Sequence, residues 1–486
     1  MRALRYKFWR SCEDKGNAGG ESEGTGGNEG ESSDQFDHEI VQLTKLRSAP
    51  HERLSRETPK VGGRSRASSV STLKMLAGRE ANCSGRGRFS TADGCHVLSR
   101  YLPVNTPVEV DNTRSRAYVS QFSADGSLFI AGFQGSHIRI YNVEKDWQVH
   151  KNILAKSLRW TITDTCLSPD QRFLVYASLS PIVHIVDVGS STTESLANVT
   201  EIHDGLDFSS YDNEDDDEFG IFSIKFSTDG RELVAATSDD SIYVYDLQAN
   251  TRTLHIPAHQ ADVNTVCFAD ETGHVIYSGS DDHLCKVWDR RCFNDRGQAA
   301  AGVLVGHLEG VTFIDSRGDG RYLISNGKDQ TTKLWDIRKM TSNATNYPRI
   351  RDPDWDYRWM EYPPHAKTMK HPRDMSLTTY SGHSVLRTLI RCYFSPEYST
   401  GRKYIFTGSS DCCVYIYDLV SGAQVGCLDY HEGPVRDVSW HPVYPMLVSS
   451  SWDGRIAKWE FPGPDEELNP SAVIRKKRTI RQHFLY

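Results

Sequence analysis

The chain has no apolar run that approaches the roughly 20 residues of a membrane-spanning helix. Its first ten residues, MRALRYKFWR, interrupt every apolar pair with a charge. Neither a spanning segment nor a secretory leader is therefore expected. A basic excess is missing too, since 56 Lys and Arg stand against 64 Asp and Glu, a formal charge of -8. Phosphate neutralisation needs a basic face, so direct nucleic-acid binding is not expected. There is no even cysteine framework either, because the 11 cysteines are an odd number without regular spacing. Cys166, Cys267 and Cys392 sit among β-branched or aromatic residues, as buried reduced thiols do, which points to the cytosol or nucleus. No second Cys or His pair at ligand spacing accompanies the neighbours Cys412 and Cys413, so neither a metal nor another cofactor is expected.

What is present falls into three stretches. From Ser11 to Asp34 almost every residue is Gly, Glu, Ser, Asn or Asp, a composition that cannot offset chain entropy, and disorder is expected. Phe36, Ile40, Leu43 and Leu46 then form one stripe of a short amphipathic helix near 36–47, with a second short candidate at Ser69 to Ala77 and arginines such as Arg47, Arg53, Arg56 and Arg64 along a basic linker. From about 95 to 461 short alternating strands recur with turn residues between them. Seven such segments end in Trp-Asp or a substitute, at Asn142, Asp187, Asp246, Asp289, Asp336, Asp418 and Glu460. Their spacing is mostly that of propeller blades, about 40 to 45 residues. Two longer gaps place insertions at 190–219 and 340–379, and a basic tail fills 462–486.

Four residue types return in step with these segments. His259, Ser278, Asp282 and Trp288 recur as His307, Ser325, Asp329 and Trp335, then as His383, Thr407, Asp411 and Tyr417, and again as His431, Ser449, Asp453 and Trp459. An Asp in a tight turn can accept from a His, the His meets a hydroxyl, and an indole N–H closes the chain of bonds. A Ser-His-Asp catalytic site would be one constellation; a set repeated from blade to blade is a fold motif. We therefore read these residues as structural. The first two segments carry Gly135 and Ser180 at the Asp position, so their blades should be the least stable.

On these residues the chain resembles the WD40 family from about 95 to 461. The resemblance implies an all-β, seven-bladed WD40 β-propeller preceded by a disordered extension with short helices. It also implies that a strand from the N-terminal side completes the last blade. His96 to Leu102 (HVLSRYL) alternates, and is expected to be that strand.

Two adjacent segments go further: KVWDRR (286–291) and KLWDIR (333–338) both end in the pattern Asp-x5-Trp-Asp-x-Arg. Asp282, Trp288, Asp289 and Arg291, and likewise Asp329, Trp335, Asp336 and Arg338, resemble the DWD box of WD40 substrate receptors of cullin-4 RING ubiquitin ligases. That resemblance implies a receptor without covalent chemistry of its own, docking on the adaptor DNA damage-binding protein 1 and through it on cullin-4, and presenting an unknown protein substrate. Segments such as GHLEGVTFIDSRGDGRYLISNGKDQTTKLWDIR and GHSVLRTLIRCYFSP are similar to the branch of cullin-4-associated factor eleven and its plant relatives. A propeller scaffold of another nuclear assembly, in which the double pattern is incidental, is the alternative.

Other features leave two readings each. The helix near 36–47 either lies in the adaptor's groove or packs on the propeller. Trp355, Tyr357, Arg358 and Trp359 form either a partner contact or a small core that anchors their insertion. The acidic run YDNEDDDEF (211–219) could hold a basic peptide but reads first as solvated surface. Arg475 to Arg478 (RKKR) is similar to a nuclear import signal, which suits a place in nucleus and cytoplasm.

Overall fold

The computed structural model describes residues 77, 80, 102–156, 158–188, 203–209, 219–293, 299–342 and 355–461. The helix expected at 36–47, most of that at 69–77, most of the acidic run and the 475–478 cluster lie outside the described residues.

Within them the chain forms seven four-stranded antiparallel sheets. In the fourth, Val263–Phe268, Val275–Ser280, Cys285–Asp289 and Gly302–Leu304 run in order from the axis outward. First strands of neighbouring sheets lie against each other, which sets them around a common axis as the blades of a propeller. Each of the seven segment ends is the last residue of a third strand. Because the pairing is antiparallel, turns joining first to second and third to fourth strands open on one face, here the lower. Turns joining second to third strands, and connections to the next blade, open on the upper face.

Burial explains the residue pattern. Second strands such as Leu128–Phe133 and Met446–Ser451 are buried at every position, being covered on both sides by adjacent blades, so they read as continuous apolar or small-residue runs. Fourth strands such as Thr251–Pro257 lie at the rim and alternate with solvent. Among the described residues of the ring the only α-helix is the single turn Glu397–Thr400.

Closure takes the expected form with a different strand. Val108–Asn112, not His96 to Leu102, pairs with Arg455–Glu460 and becomes the fourth strand of blade seven. The reason is connectivity: Asn112 lies a short link from Ala117, where blade one begins, whereas a strand ending at Leu102 would need a much longer return. Leu102 instead packs into the core between blades six and seven. Thr113 N–H donates to Gly454 O at 2.9 Å, an approach that needs glycine there: φ is 84° and a Cβ would lie 2.0 Å from the Thr113 carbonyl. A second difference concerns the first insertion, since His203–Asp207 inside it is the fourth strand of blade two.

The innermost strand of each blade has one edge with no strand beside it, and neighbouring blades supply what that edge lacks. Ile224 N–H donates to Asp164 at 2.9 Å, Ile314 N–H to Thr265 Oγ1 at 3.1 Å, Phe394 N–H to Asp315 at 2.8 Å and Ser120 N–H to Asp437 at 2.8 Å. Each acceptor belongs to the preceding blade. A register shift just after the first residue of the first strand recurs in blades one to five and seven. Bulges re-aim side chains. Thr163, Asn264 and Thr312, in three of these bulges, donate to Ile221 O, Val311 O and Ile390 O of the next blade at 2.6, 2.8 and 2.9 Å. Arg391 spans the axis from blade six, with Nη2 2.9 Å from Asp164 of blade two and Nη1 3.3 Å from Asp437 of blade seven. Burial alone would raise the Asp164 carboxyl; Arg391 and Lys225 reverse this and hold it at about 2.

A chain lacking residues 1–80 should therefore keep its thermal midpoint. One lacking residues 1–113 loses the closing strand, and its midpoint should fall on the order of 10 °C or more. Calorimetry of the two chains checks this; equal midpoints would mean that the ring does not depend on Val108–Asn112.

Candidate functional site

The repeated four-residue set forms a directed chain of bonds in blades four, five and seven. His259 Nδ1 is 2.8 Å from Asp282 and Nε2 2.7 Å from Ser278 Oγ, to which the Trp288 indole N–H donates at 2.9 Å. His307, Asp329, Ser325 and Trp335 repeat this at 3.0, 2.7 and 2.7 Å. His431, Asp453, Ser449 and Trp459 do so at 3.0, 2.8 and 2.9 Å. Each Asp also accepts from the backbone N–H after the His, at Gln260, Leu308 and Glu432. Burial keeps the His259 ring below the usual imidazole range, so at neutral pH it donates from Nδ1 and accepts the serine proton at Nε2. The three serines are fully buried, so the set ties the upper turn of each blade to its third strand without presenting a nucleophile to solvent.

Blade six departs from this. His383 Nδ1 meets Tyr417 OH at 3.0 Å, but its Nε2 turns to Asn326 of blade five at 3.0 Å. Thr407 donates to Arg391 O, and Asp411 accepts from Tyr415 OH at 2.7 Å. The four residues share a blade without forming one chain of bonds. A phenol carries its hydroxyl at the tip of the ring, so Tyr417 reaches the histidine directly, where the indoles of the other blades stop at the serine. Blade three makes a related substitution, with Asp239 accepting from Tyr243 OH at 2.5 Å. In the first two blades Ser180 bonds Ser178 and Gly135 N–H donates to Ser115.

The two WD arginines lie on the lower face. Arg291 and Arg338 sit in the 3-10 turns Arg290–Cys292 and Ile337–Lys339, directly after their third strands. Asp289 and Asp336 cap these turns, each accepting the arginine backbone N–H at 3.0 Å. The side chains fold back over the same carboxylates: Arg291 Nε and Nη2 at 2.9 and 2.8 Å, Arg338 Nε and Nη2 at 3.1 and 2.8 Å. Even so, 63% and 56% of the two side chains stay exposed. The bond from Arg291 holds the Asp289 carboxyl at about 2. Two neighbouring turns thus present exposed cations on one face, each poised over an acid of its own.

Of the second insertion, residues 340–342 and 355–379 are described; although it joins a third to a fourth strand, its aromatic stretch reaches the upper face, against Lys328. Trp355 is buried, donates to Glu361 O at 3.0 Å and meets Tyr362 edge-on. Tyr357 packs under Lys328 Nζ, 4.0 Å from its ring centroid, and its carbonyl accepts from Arg387 N–H at 2.8 Å. Lys328, in the upper turn of blade five, pairs with Asp281 of blade four at 2.7 Å. Arg358 lies 3.5 Å from Asp356, and Trp359 is 85% exposed. Trp355 and Tyr357 therefore anchor the segment, and Trp359 stands out from it. Close by, burial and the charges of Asp281 and Asp240 push the Asp262 carboxyl up to about 7.

Sequence reasoning missed three partners of this arrangement. Arg290 forms a bidentate pair with Glu232 of blade three at 2.6 and 2.8 Å. Arg321 shares Asp336 with Arg338 at 3.0 Å. Lys328 fixes the insertion. None has a fixed spacing from its partner, so periodicity carries no signal for them.

The WD domain, G-beta repeat model matches residues 212–246, 250–289, 300–336, 375–418 and 422–460. Blades one and two, with Gly135 and Ser180 at the Asp position, fall outside those matches. The chain is 74% identical over 484 residues to a LEC14B homolog of Prunus armeniaca, covering 98% of this chain and 100% of that protein. It is 70% identical to the LEC14B protein of Lithospermum erythrorhizon over 431 residues, 89% of this chain and 90% of that one. It is 36% identical to the DDB1- and CUL4-associated factor 11 homolog of Caenorhabditis elegans over 407 residues, 82% of this chain and 70% of the relative.

The buried carboxylates of the network set an acid limit. Burial alone would raise Asp282 and Asp329, yet the adjacent histidines hold both at about 2. That is below the unfolded carboxylate value of about 4, so their contribution is present above about pH 4 and is lost as the pH falls from there towards about 2. Asp282→Asn combined with Asp329→Asn should lower the midpoint at neutral pH and flatten its decline across that window. Thermal melts between about pH 2 and 5 test this; a decline as steep as that of the parent chain would contradict it.

Proposed function

Because the chain belongs to the WD40-repeat family that includes the LEC14B proteins and the DDB1- and CUL4-associated factor 11 homologues, we propose that it is a substrate receptor of a cullin-4 ubiquitin ligase. Its lower face docks on the adaptor DNA damage-binding protein 1, and its upper face holds the target. The receptor positions that target for ubiquitination and performs no covalent step itself. One observation carries the reading: two adjacent Asp-x5-Trp-Asp-x-Arg segments deliver exposed arginines to neighbouring turns of a single face. A guanidinium offers several donors in a planar fork suited to a partner's carboxylates or carbonyls.

The upper face suits the target. Trp359 stands on a segment fixed by Trp355 and Tyr357, so little side-chain and loop entropy is lost when a partner covers it. The Arg475 to Arg478 cluster supports work in the nucleus as well as the cytoplasm.

Replacing Arg291 and Arg338 together by Ala should reduce co-precipitation of the adaptor by about tenfold or more while leaving the melting curve of the ring intact. Undiminished recovery from the folded double variant would sink the docking reading. Trp359→Ala should leave adaptor recovery unchanged and shrink the set of proteins that are proximity-labelled and accumulate under a proteasome inhibitor. An unaltered set would remove Trp359 from the target surface.

A further inference from the structure

We propose that Arg321 is the positioning residue that makes Arg338 available to the adaptor, so that Arg338 carries more of the docking than Arg291. The inference rests on the reading of the WD arginines as adaptor contacts.

An arginine folded back on its own WD aspartate must leave that aspartate to reach a partner, and what happens to the abandoned carboxylate differs between the two blades. Asp336 is almost fully buried, with 3% of its side chain exposed. Its Oδ2 accepts from Arg338 Nη2 at 2.8 Å and from Arg321 Nη2 and Nε at 3.0 and 3.2 Å. A buried carboxylate stripped of its cation is strongly disfavoured. Here the second guanidinium stays behind. Arg321 is itself held, stacked over the buried Tyr322 ring 4.6 Å from its centroid, with its carbonyl accepting from Ile337 N–H at 3.0 Å. Arg338 can therefore swing to a partner and leave Asp336 paired.

Blade four lacks this device. The position that answers to Arg321 is His274, whose carbonyl accepts from Arg290 N–H at 3.0 Å in the same way. Among the described residues Asp289 takes its side-chain hydrogen bonds from Arg291 alone. Arg290 is no substitute, because both its outer nitrogens are engaged by Glu232 of blade three. Departure of Arg291 breaks a bidentate pair and leaves Asp289, 18% exposed, to water and the nearby His274 ring, which makes no hydrogen bond to it. The two boxes look alike in sequence, yet one arginine is releasable and the other is bound to its own acid.

The test is a double-mutant cycle on the full-length chain, with affinity for the purified adaptor measured by calorimetry. Arg338→Ala should weaken binding by roughly tenfold or more, and Arg291→Ala by a clearly smaller factor. Arg321→Gln should weaken binding several-fold in the parent chain and have no further effect once Arg338 is Ala. Near-UV circular dichroism confirms that each variant is folded. Should Arg321→Gln fail to fold, Arg321→Lys, which keeps the charge without the fork, should show the same coupling with a smaller amplitude. An adaptor-free arm follows Arg338 Nε–H exchange by NMR, which should slow in Arg321→Gln as Arg338 becomes the sole guanidinium on Asp336. A parent chain that does not bind the adaptor defeats the docking reading, while the exchange arm still decides whether Arg321 loosens Arg338. Equal losses from Arg291→Ala and Arg338→Ala, or an Arg321 effect that persists without Arg338, overturn the inference.

Discussion

An innermost strand with nothing on one side of it is the constraint on which this molecule rests. Each blade leaves such a strand facing the axis, and unpaired backbone donors buried there would be costly. The chain answers with side chains: Asp164, Thr265, Asp315 and Asp437 each take a backbone N–H of the following blade. Two of these acceptors, Asp164 and Asp437, are fully buried carboxylates, and Arg391 pairs with both, joined by Lys225 on Asp164. Polar bonds of this kind line the inside of the ring at these junctions, beside the apolar contacts between blades.

Closure and polarity follow from the same geometry. A ring stitched blade to blade cannot leave its last sheet open, and the short link from Asn112 to Ala117 lets Val108–Asn112 complete it. Antiparallel order then sorts every turn to one face or the other. The His-Ser-Asp-Trp networks gather beneath the upper turns and fix their shape, and the long insertion is pinned above them through Lys328. The WD arginines fall on the opposite face because they follow third strands. The two faces are thus kept apart by the depth of the ring.

Much of the site's regularity could be read along the chain because it repeats along the chain. The step of six from Asp to aromatic in Asp282–Trp288, Asp329–Trp335 and Asp453–Trp459 reflects one turn and one strand. The set failed in blade six because composition matched but shape did not, Tyr417 placing its hydroxyl where the other blades have none to offer. The paired WD arginines were equally legible, but their posture was not: each lies over its own aspartate, a contact decided by the 3-10 turn that follows the strand.

The sequence alone determined the number of blades, the end of every third strand and the residues of the networks in blades four, five and seven, because strand alternation and turn chemistry are local and recur with a period. Only the tertiary structure decided which segment closes the ring, which face each feature occupies and which second cation attends each buried acid. Arg391 meets Asp164 and Asp437 across the axis, and Arg321 meets Asp336 from an adjoining turn. The first two pairs depend on distances set when the ring closes and the third on the strand register that sets Tyr322 opposite Asp336, and no repeated spacing along the chain encodes them.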